Sequence, residues 1–327
     1  MALELDEIRT VTAFAALAPS VHNTQPWQMV ARGHTIEVRA DHDRQLGYLD
    51  PSARQLHISC GITIEFARLG VRALGHDCVV RLAPDAGDPD FLATLTAGHR
   101  MPLSPAERRL VDAIPRRYTD RGCYEERPVP SEVLERARAV AVDRGCWLRV
   151  LDRPGDRVTV ATLLAEAEAV EAADARYADE LAAWRREEAA EDGIPRTAFG
   201  EWGADVVSDV PLRDFDGRGH HRAPDSGEAP QVERDTLLLL GSDDDSVGGW
   251  LRTGRALALV WLTLTAADLV AQPLGPVTDV PTTRRRLQLE LGLLGRPQIM
   301  LRTGYGKGAP RAGRRDLEGL LTVASVA

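Results

Sequence analysis

Lysine is almost missing from this 327-residue chain. Lys307 is the only one, and arginine makes up the rest of its 40 basic residues. We read that skew as compositional bias without chemical meaning. Cysteine is scarce too. Cys60, Cys78, Cys123 and Cys146 stand far apart and form no CxxC pair, which argues against a zinc site and a disulfide framework and leaves four reduced thiols in or near cores. Basic charge is in deficit: the net charge of -9 argues against a general nucleic-acid or membrane-surface binder. The opening residues Met1 to Glu7 are acidic and lack an apolar core, so no secretory signal is visible and a cytoplasmic protein is expected. Long apolar runs are also lacking. The greasiest, Ala256 to Ala271, contains Asp268 and is short for a membrane span, so it reads as a buried helix.

What remains is an ordinary globular composition, 44% apolar and 27% charged, in a chain long enough for two domain-sized units. One stretch organises it: Leu17-Ala18-Pro19-Ser20-Val21-His22-Asn23-Thr24-Gln25-Pro26-Trp27. A helical run with Ile8, Val11, Phe14, Ala15 and Leu17 on one face precedes it. Strand-like runs, Gln28 to Val30 and Thr35 to Val38, follow. The two prolines stop the helix and hold the backbone extended. Ser20, His22, Asn23 and Gln25 are thereby left on a loop between buried elements, either as ligand contacts or as a capped helix end and turn.

After Thr35 to Ala40, a weaker strand signal covers Gln45 to Leu49. Ser52 is placed to cap a helix from Pro51-Ser52 to Leu74-Gly75, apolar on most sides and hence central. Gly61 in mid-helix implies a close helix crossing. Asp77 to Leu82 reads as a strand and Pro84 to Pro89 as a loop.

Pro19-Ser20-x-x-Asn23-x-Gln25-Pro26-Trp27 resembles the PSxxNxQPW signature of the nitroreductase superfamily of FMN proteins, in which this segment lies against the flavin. The order of elements up to about residue 105 is similar to one nitroreductase unit, but the Arg-x-Ser-x-Arg phosphate element that opens such units is missing; only Arg9 lies upstream. Arg117-x-Thr119-x-Arg121 supplies a similar element in the second half, with threonine for serine, and guanidinium groups match a phosphate dianion well. A solvated basic turn is the bland alternative. Ser131 then caps a helix to about Asp143, and Trp147 to Leu151 is a strand. No second PSxxNxQPW precedes that strand. Each half thus keeps one part of a site that two-subunit nitroreductases build from both partners.

The resemblance therefore implies an α+β, nitroreductase-like fold of two tandem units, residues 1–105 and 106–327, forming an intramolecular pseudo-dimer with a single FMN per chain. Asp235 to Leu240 is a buried strand, and Gly248 onward a long apolar helix equivalent to Gln55–Leu74. Pro273, Leu274 and Gly275 correspond to a loop that offers N–H groups to the flavin ring, a role Pro276 cannot share. Gln298 to Thr303 is a strand, and Gly304-Tyr305-Gly306-Lys307-Gly308 resembles the closing RxGYG segment, not a P-loop. Arg314 and Arg315 are either the basic pair that completes the phosphate pocket or an exposed basic tail.

An acidic insertion, about residues 163–233, interrupts the second unit. Ala165 to Ala190 is helical by pattern, with Tyr177, Leu181 and Trp184 on one face; Phe199, Trp202, Phe215 and a polar, glycine-rich stretch from Gly217 to Pro230 follow. His220-His221 lacks further ligands at metal spacing. We take the insertion as a lid over the flavin. With the Arg54–Gly61 sequence RQLHISCG, these features are similar to the Acg-like branch of the superfamily. That implies an FMN-dependent oxidoreductase using NADPH or NADH, with no side-chain acid or base required. A non-catalytic FMN-sequestering protein, or a regulatory partner on the same scaffold, are the competing readings. A chain that imitates a dimer is expected to be a monomer.

Overall fold

The computed structural model describes residues 3–82, 87–188, 190–199, 206–213, 231–233 and 235–324. In chain order the elements are α1 (Leu5–Ala16), β1 (Trp27–Arg32), β2 (Thr35–Ala40), α2 (Arg54–Ala73), β3 (His76–Leu82), β4 (Phe91–Arg100), α3 (Pro105–Ala113), α4 (Ser131–Val142) and β5 (Cys146–Val150). Then come α5 (Pro154–Ala173), α6 (Ala175–Ala183), β6 (Arg185–Arg186), β7 (Ile194–Pro195), β8 (Val206–Ser208), β9 (Gln231–Glu233) and β10 (Thr236–Ser242). The chain closes with α7 (Val247–Ala266), β11 (Val270–Pro273), α8 (Pro276–Asp279), α9 (Pro281–Glu290), β12 (Arg296–Gly304), α10 (Leu317–Leu320) and β13 (Leu321–Val323). Trp202, Phe215, His220-His221 and the Gly217–Pro230 stretch lie outside the described residues.

Two main sheets flank a helical layer. The first runs β13-β1-β2-β4-β3 and is antiparallel except that β13 joins β1 in parallel, Val30 opposite Thr322. The chain thus ends in the sheet where it began. The second, β11-β12-β10-β5, is wholly antiparallel. Its Leu237–Leu240 run is covered on both faces, which is why it does not alternate with polar residues. Leu238 and Leu240 join the main core, while Leu237 and Leu239 pack with Val160, Leu163 and Leu287 on the far side.

Helices α2 and α7 lie at the centre of that main core, with Phe66, Leu257, Trp261 and Leu264 among its large members. They cross where Gly61 faces Gly254: a Cβ on Gly61 would collide with the Leu251 carbonyl, and one on Gly254 with the Ile58 carbonyl. The same interface buries Glu65, whose carboxylate accepts from Arg68 Nε (2.6 Å), Arg144 Nη2 (2.8 Å) and Arg255 Nε (2.8 Å). These guanidinium groups overcome the burial that favours protonation and hold the carboxyl well below the usual glutamate range. Cys60 and Cys146 are buried, while Cys78 and Cys123 are half-buried. The apolar run from Ala256 forms the buried part of α7, and no helix of the described residues is long and apolar enough to cross a membrane.

Several local expectations change, among them Ser131, which is the first residue of α4 and not its cap. Gln45–Leu49 is no strand. Leu46 and Leu49 are anchored in a small core with Tyr177, Leu181 and Ile194, and Glu180 accepts from the Leu49 N–H at 2.9 Å. The insertion therefore packs on a turn that a sheet would have consumed. Ser52 does not cap α2, because Ala53 takes the left-handed conformation (φ 58°), which turns the chain so that Asp50 Oδ2 accepts from the Leu56 N–H at 2.8 Å. Burial raises the Asp50 carboxyl to about 6. The helix of the insertion starts at Pro154, directly after β5, and is broken at Asp174, whose side chain caps α6. Strand β4 occupies a stretch where small residues, Ala93 and Ala97, blur the alternation.

Candidate functional site

The 19–25 loop is built on unusual backbone. His22, Asn23 and Gln25 all have positive φ (46°, 56° and 50°), a conformation that non-glycine residues adopt only where their surroundings hold them. Here the fastening is dense. Ser20 Oγ accepts from the Gln25 N–H at 2.8 Å, and Ser59 Oγ on α2 from the Val21 N–H at 3.2 Å. Asn23 Nδ2 donates to the Gly193 and Gly313 carbonyls, and Gln25 Nε2 to the Glu191 carbonyl at 2.8 Å. Arg315 donates its backbone N–H to Gln25 Oε1 and its Nη1 to the Gln25 carbonyl, each at 2.9 Å.

Two adjoining cavities open beside this loop, sharing Pro19, Ser20, Thr119 and Arg121 as a common wall. The larger, about 900 Å³ including its mouth, is bounded by the loop, by Ile58 and Ser59 of α2, by Leu257 and Trp261 of α7, and by Gln272 to Pro276. The insertion contributes Leu164, Glu168, Pro211 and Arg213 to its lining. Its size and mostly apolar lining suit a planar ring system. The smaller cavity, about 690 Å³, is bounded by Asn23, Tyr118, Gly193, Pro310 and the guanidinium-bearing residues Arg117, Arg121, Arg311 and Arg314. Thr119 is held there by a parallel bridge to Ala271, which lays the Arg117–Arg121 segment along β11.

The smaller cavity is electrostatically incomplete. Arg117 is buried, with Nη2 at 3.5 Å from the Leu17 carbonyl and its guanidinium carbon 4.8 Å from the Trp261 ring centre, yet Nε and Nη1 have no hydrogen-bond partner. Burial, then the charges of Arg314 and Arg311, press it well below the ordinary arginine value. Arg314 is lowered to about 10 by burial and Arg311, and Arg121 to about 10 chiefly by burial. Among the described residues neither Arg117 nor Arg314 has an ion-pair partner. A buried cation without a counter-charge is costly, and an anion bound between these groups removes that cost.

The structure brings together most residues singled out from the sequence. Pro19, Ser20, Thr119 and Arg121 line both cavities, Asn23, Arg117 and Arg314 the cationic one, and Pro273, Leu274 and Gly275 the larger. Leu274 spends its N–H on the Met300 carbonyl at 2.8 Å. A Cβ on Gly275 would meet Asp279 Oδ2 at 2.5 Å, so a side chain there requires that carboxylate to shift. Gln25 and Arg315 line neither cavity; they brace the loop from behind. Arg311, Trp261, Arg213 and Asp279 were not singled out for the site, although Arg311 lies only three residues before Arg314 and so carried a signal. Among the described residues no group of three or more His, Cys, Asp or Glu side chains is arranged to hold a metal ion.

No family model matches the chain. A Mycobacterium tuberculosis protein named "Putative NAD(P)H nitroreductase Rv3131" is 33% identical over 308 residues, covering 92% of this chain and 86% of that protein. Another from the same organism, "Putative NAD(P)H nitroreductase acg", is 28% identical over 302 residues, 91% and 89% of the two chains. The chain is an Acg-like member of the nitroreductase superfamily. Among solved structures, a nitroreductase with bound FMN from Desulfitobacterium hafniense is similar at 12% identity and TM-score 0.42, over 66% of this chain and 98% of that one. The FMN-dependent nitroreductase NfnB of Mycobacterium smegmatis, in complex with NADPH, is similar at 16% identity and TM-score 0.35, over 64% and 94%.

Proposed function

We propose that this chain is an FMN-dependent NAD(P)H oxidoreductase that holds a single FMN in the two adjoining cavities. The observation that carries the reading is Arg117: a buried guanidinium with two unpartnered nitrogens, flanked by Arg314 and Arg311, at the end of a ring-sized apolar cleft. Arg117, Arg121, Arg311 and Arg314 would neutralise the phosphate. Ser20, Thr119, Gln272 and Gly275 would border the ring. When bound, FMN supplies hydride and electron transfer. The chain's own part is to orient the ring through the braced loop, to keep water out with Leu164 and Pro211, and to present charge at fixed places.

The proposal includes two tandem units, residues 1–105 and 106–327, acting as an intramolecular pseudo-dimer, with β13 swapped back into the first sheet. On that view Arg117 and the PSxxNxQPW loop complement each other as the two subunits of an ordinary dimer would. The chain then has no need of a second copy, and we propose a cytoplasmic monomer.

A second reading has one observation in its favour. The insertion lines the larger cavity with Leu164, Glu168, Pro211 and Arg213, where a nicotinamide would have to approach. In that reading it is a lid and the chain sequesters FMN. Mixing the FMN-loaded protein anaerobically with NADPH or NADH separates the two. Bleaching of the flavin absorbance within seconds supports the enzyme; bleaching by dithionite alone supports sequestration. A protein that refuses added FMN overturns both.

A further inference from the structure

Asp279 lines the larger cavity and takes no part in the cationic one. Its carboxylate is held through one oxygen. Oδ1 accepts from Arg54 Nη2 at 2.6 Å and from Gln55 Nε2 at 2.5 Å, both at the start of α2. Arg54 is fixed in turn by the Thr278 and Gln298 carbonyls, to which it donates. Among the described residues no donor reaches Oδ2. That oxygen lies over Gly275, 2.5 Å from where a Cβ would stand. Gly275 and Gln55 border the larger cavity, whereas Arg54 borders an outer groove shared with Ser52, Arg284 and Arg296. The Arg54–Asp279 pair thus divides cavity from groove, and its spare oxygen sits on the Gly275 side. The Asp279 side chain keeps 6% exposure, so it is not sealed inside protein. Burial pushes its carboxyl up, while Arg54, Gln55, Arg213 and Arg284 pull it down. A donor arriving at Oδ2 adds to that downward pull.

We propose that Asp279 Oδ2 accepts the N3–H of the bound flavin and so fixes which edge of the ring enters the Gly275 end of the cavity. Oxidised isoalloxazine carries a single N–H, at N3 of its pyrimidine ring; its other polar ring atoms only accept. With the phosphate among Arg117, Arg311 and Arg314, the ring can present either its pyrimidine or its dimethylbenzene edge to Asp279. The dimethylbenzene edge leaves a largely desolvated carboxylate oxygen unmatched, and a ring carbonyl set against it is repelled. N3–H alone complements it. This inference rests on the flavin reading and deepens it from the presence of the cofactor to its orientation. Arg54 and Gln55 hold Asp279, and Asp279 holds the ring.

The test uses the full chain, as wild type and as Asp279→Asn, with FMN and with 3-methyl-FMN, whose N3 carries a methyl group in place of the proton. The amide of Asp279→Asn keeps an oxygen for Arg54 and Gln55 and sets an NH₂ group where Oδ2 stands, so donor meets donor. Dissociation constants are read from the change in flavin fluorescence. Wild type should bind FMN at least about 30-fold more tightly than 3-methyl-FMN, and Asp279→Asn should cut that preference by about tenfold through weaker FMN binding. An equal preference in the two proteins is a steric effect of the methyl group alone and overturns the proposal. Alkaline titration of the bound flavin spectrum reports loss of the N3 proton. The carboxylate should hold that proton to a pH at least about one unit higher in wild type than in Asp279→Asn. Coincident or reversed titrations overturn the proposal. If Asp279→Asn does not fold, wild type decides alone: with nitrogen-15-labelled FMN, the N3–H proton resonance should move downfield of its position for FMN in water, and an unmoved or upfield resonance overturns the proposal. Failure of wild type to take up either flavin is seen first, and sinks the flavin reading itself; the other negative outcomes leave that reading standing and remove only the role of Asp279.

Discussion

Arg314 Nη1 donates to Asn23 Oδ1 at 3.1 Å, joining residues 291 positions apart. Through this contact the PSxxNxQPW loop and the C-terminal basic segment form one wall of the cationic cavity. Neither stretch makes the cavity alone, and the Arg117 segment arrives from a third place in the chain.

Arg117→Met should move stability and cofactor retention in opposite directions. Removing an unpaired buried cation should stabilise the cofactor-free protein by about 1–3 kcal/mol. Loss of a charged phosphate partner should weaken FMN binding by about 100-fold. Thermal unfolding with and without FMN reads both, because ligand-linked stabilisation shrinks as affinity falls. A variant that stays fully yellow after desalting would refute the phosphate role of Arg117.

Gly61→Ala and Gly254→Ala should each destabilise the fold by about 2–3 kcal/mol or prevent folding, despite alanine's better helix propensity. The added Cβ meets backbone carbonyls of the facing helix, which cannot rotate away. Urea unfolding checks this. A gain in stability, as at an exposed helical glycine, would mean that α2 and α7 do not cross here.

Glu65→Gln should cost about 3–5 kcal/mol. The variant leaves Arg68, Arg144 and Arg255 around a neutral amide at the centre of the α2–α7 interface. In wild type the same carboxylate favours folding above the ordinary glutamate range, and that contribution is lost as pH falls through its lowered folded value. The gap between wild type and variant, measured by denaturant unfolding, should therefore narrow in strong acid.

Glu171 works in the opposite sense. Burial lifts its carboxyl to about 7, against the lowering effect of Arg213. The folded protein thus keeps a proton that the unfolded chain releases nearer 4.5, so this group's contribution falls as pH rises from about 4.5 to 7. Glu171→Gln removes that slope. The stability of wild type relative to the variant should fall by up to about 3 kcal/mol between about pH 4 and pH 8. Parallel urea midpoints across that range would exclude a titrating Glu171.

Much of the fold was legible where periodicity was strong and turn residues were clear. The helix before Pro19, the glycine-marked crossing of α2, the leucine strand β10 and the apolar α7 all declared themselves locally. Strand β4 did not, because alternating small residues give little hydrophobic contrast. Gln45–Leu49 misled for the opposite reason: its apolar residues are spaced like a strand but are spent on Tyr177 and Leu181 of the insertion. At the site, the motif spacing pointed to Asn23, Arg117 and Arg314. It could not separate residues that face a cavity from those that brace the loop, such as Gln25 and Arg315, because both kinds of role need the same polar side chains.

By itself the sequence determined the chemistry on offer: guanidinium groups in an RxTxR spacing, a proline-bounded polar loop, and a mid-helix glycine, Gly61, that implies a close crossing. Tertiary structure alone decided that three distant stretches surround one pair of cavities and that Arg117 lies there without a counter-charge among the described residues. The physical reason is range. Backbone preference and periodicity act over a few residues, whereas desolvation and charge pairing depend on neighbours that only packing supplies.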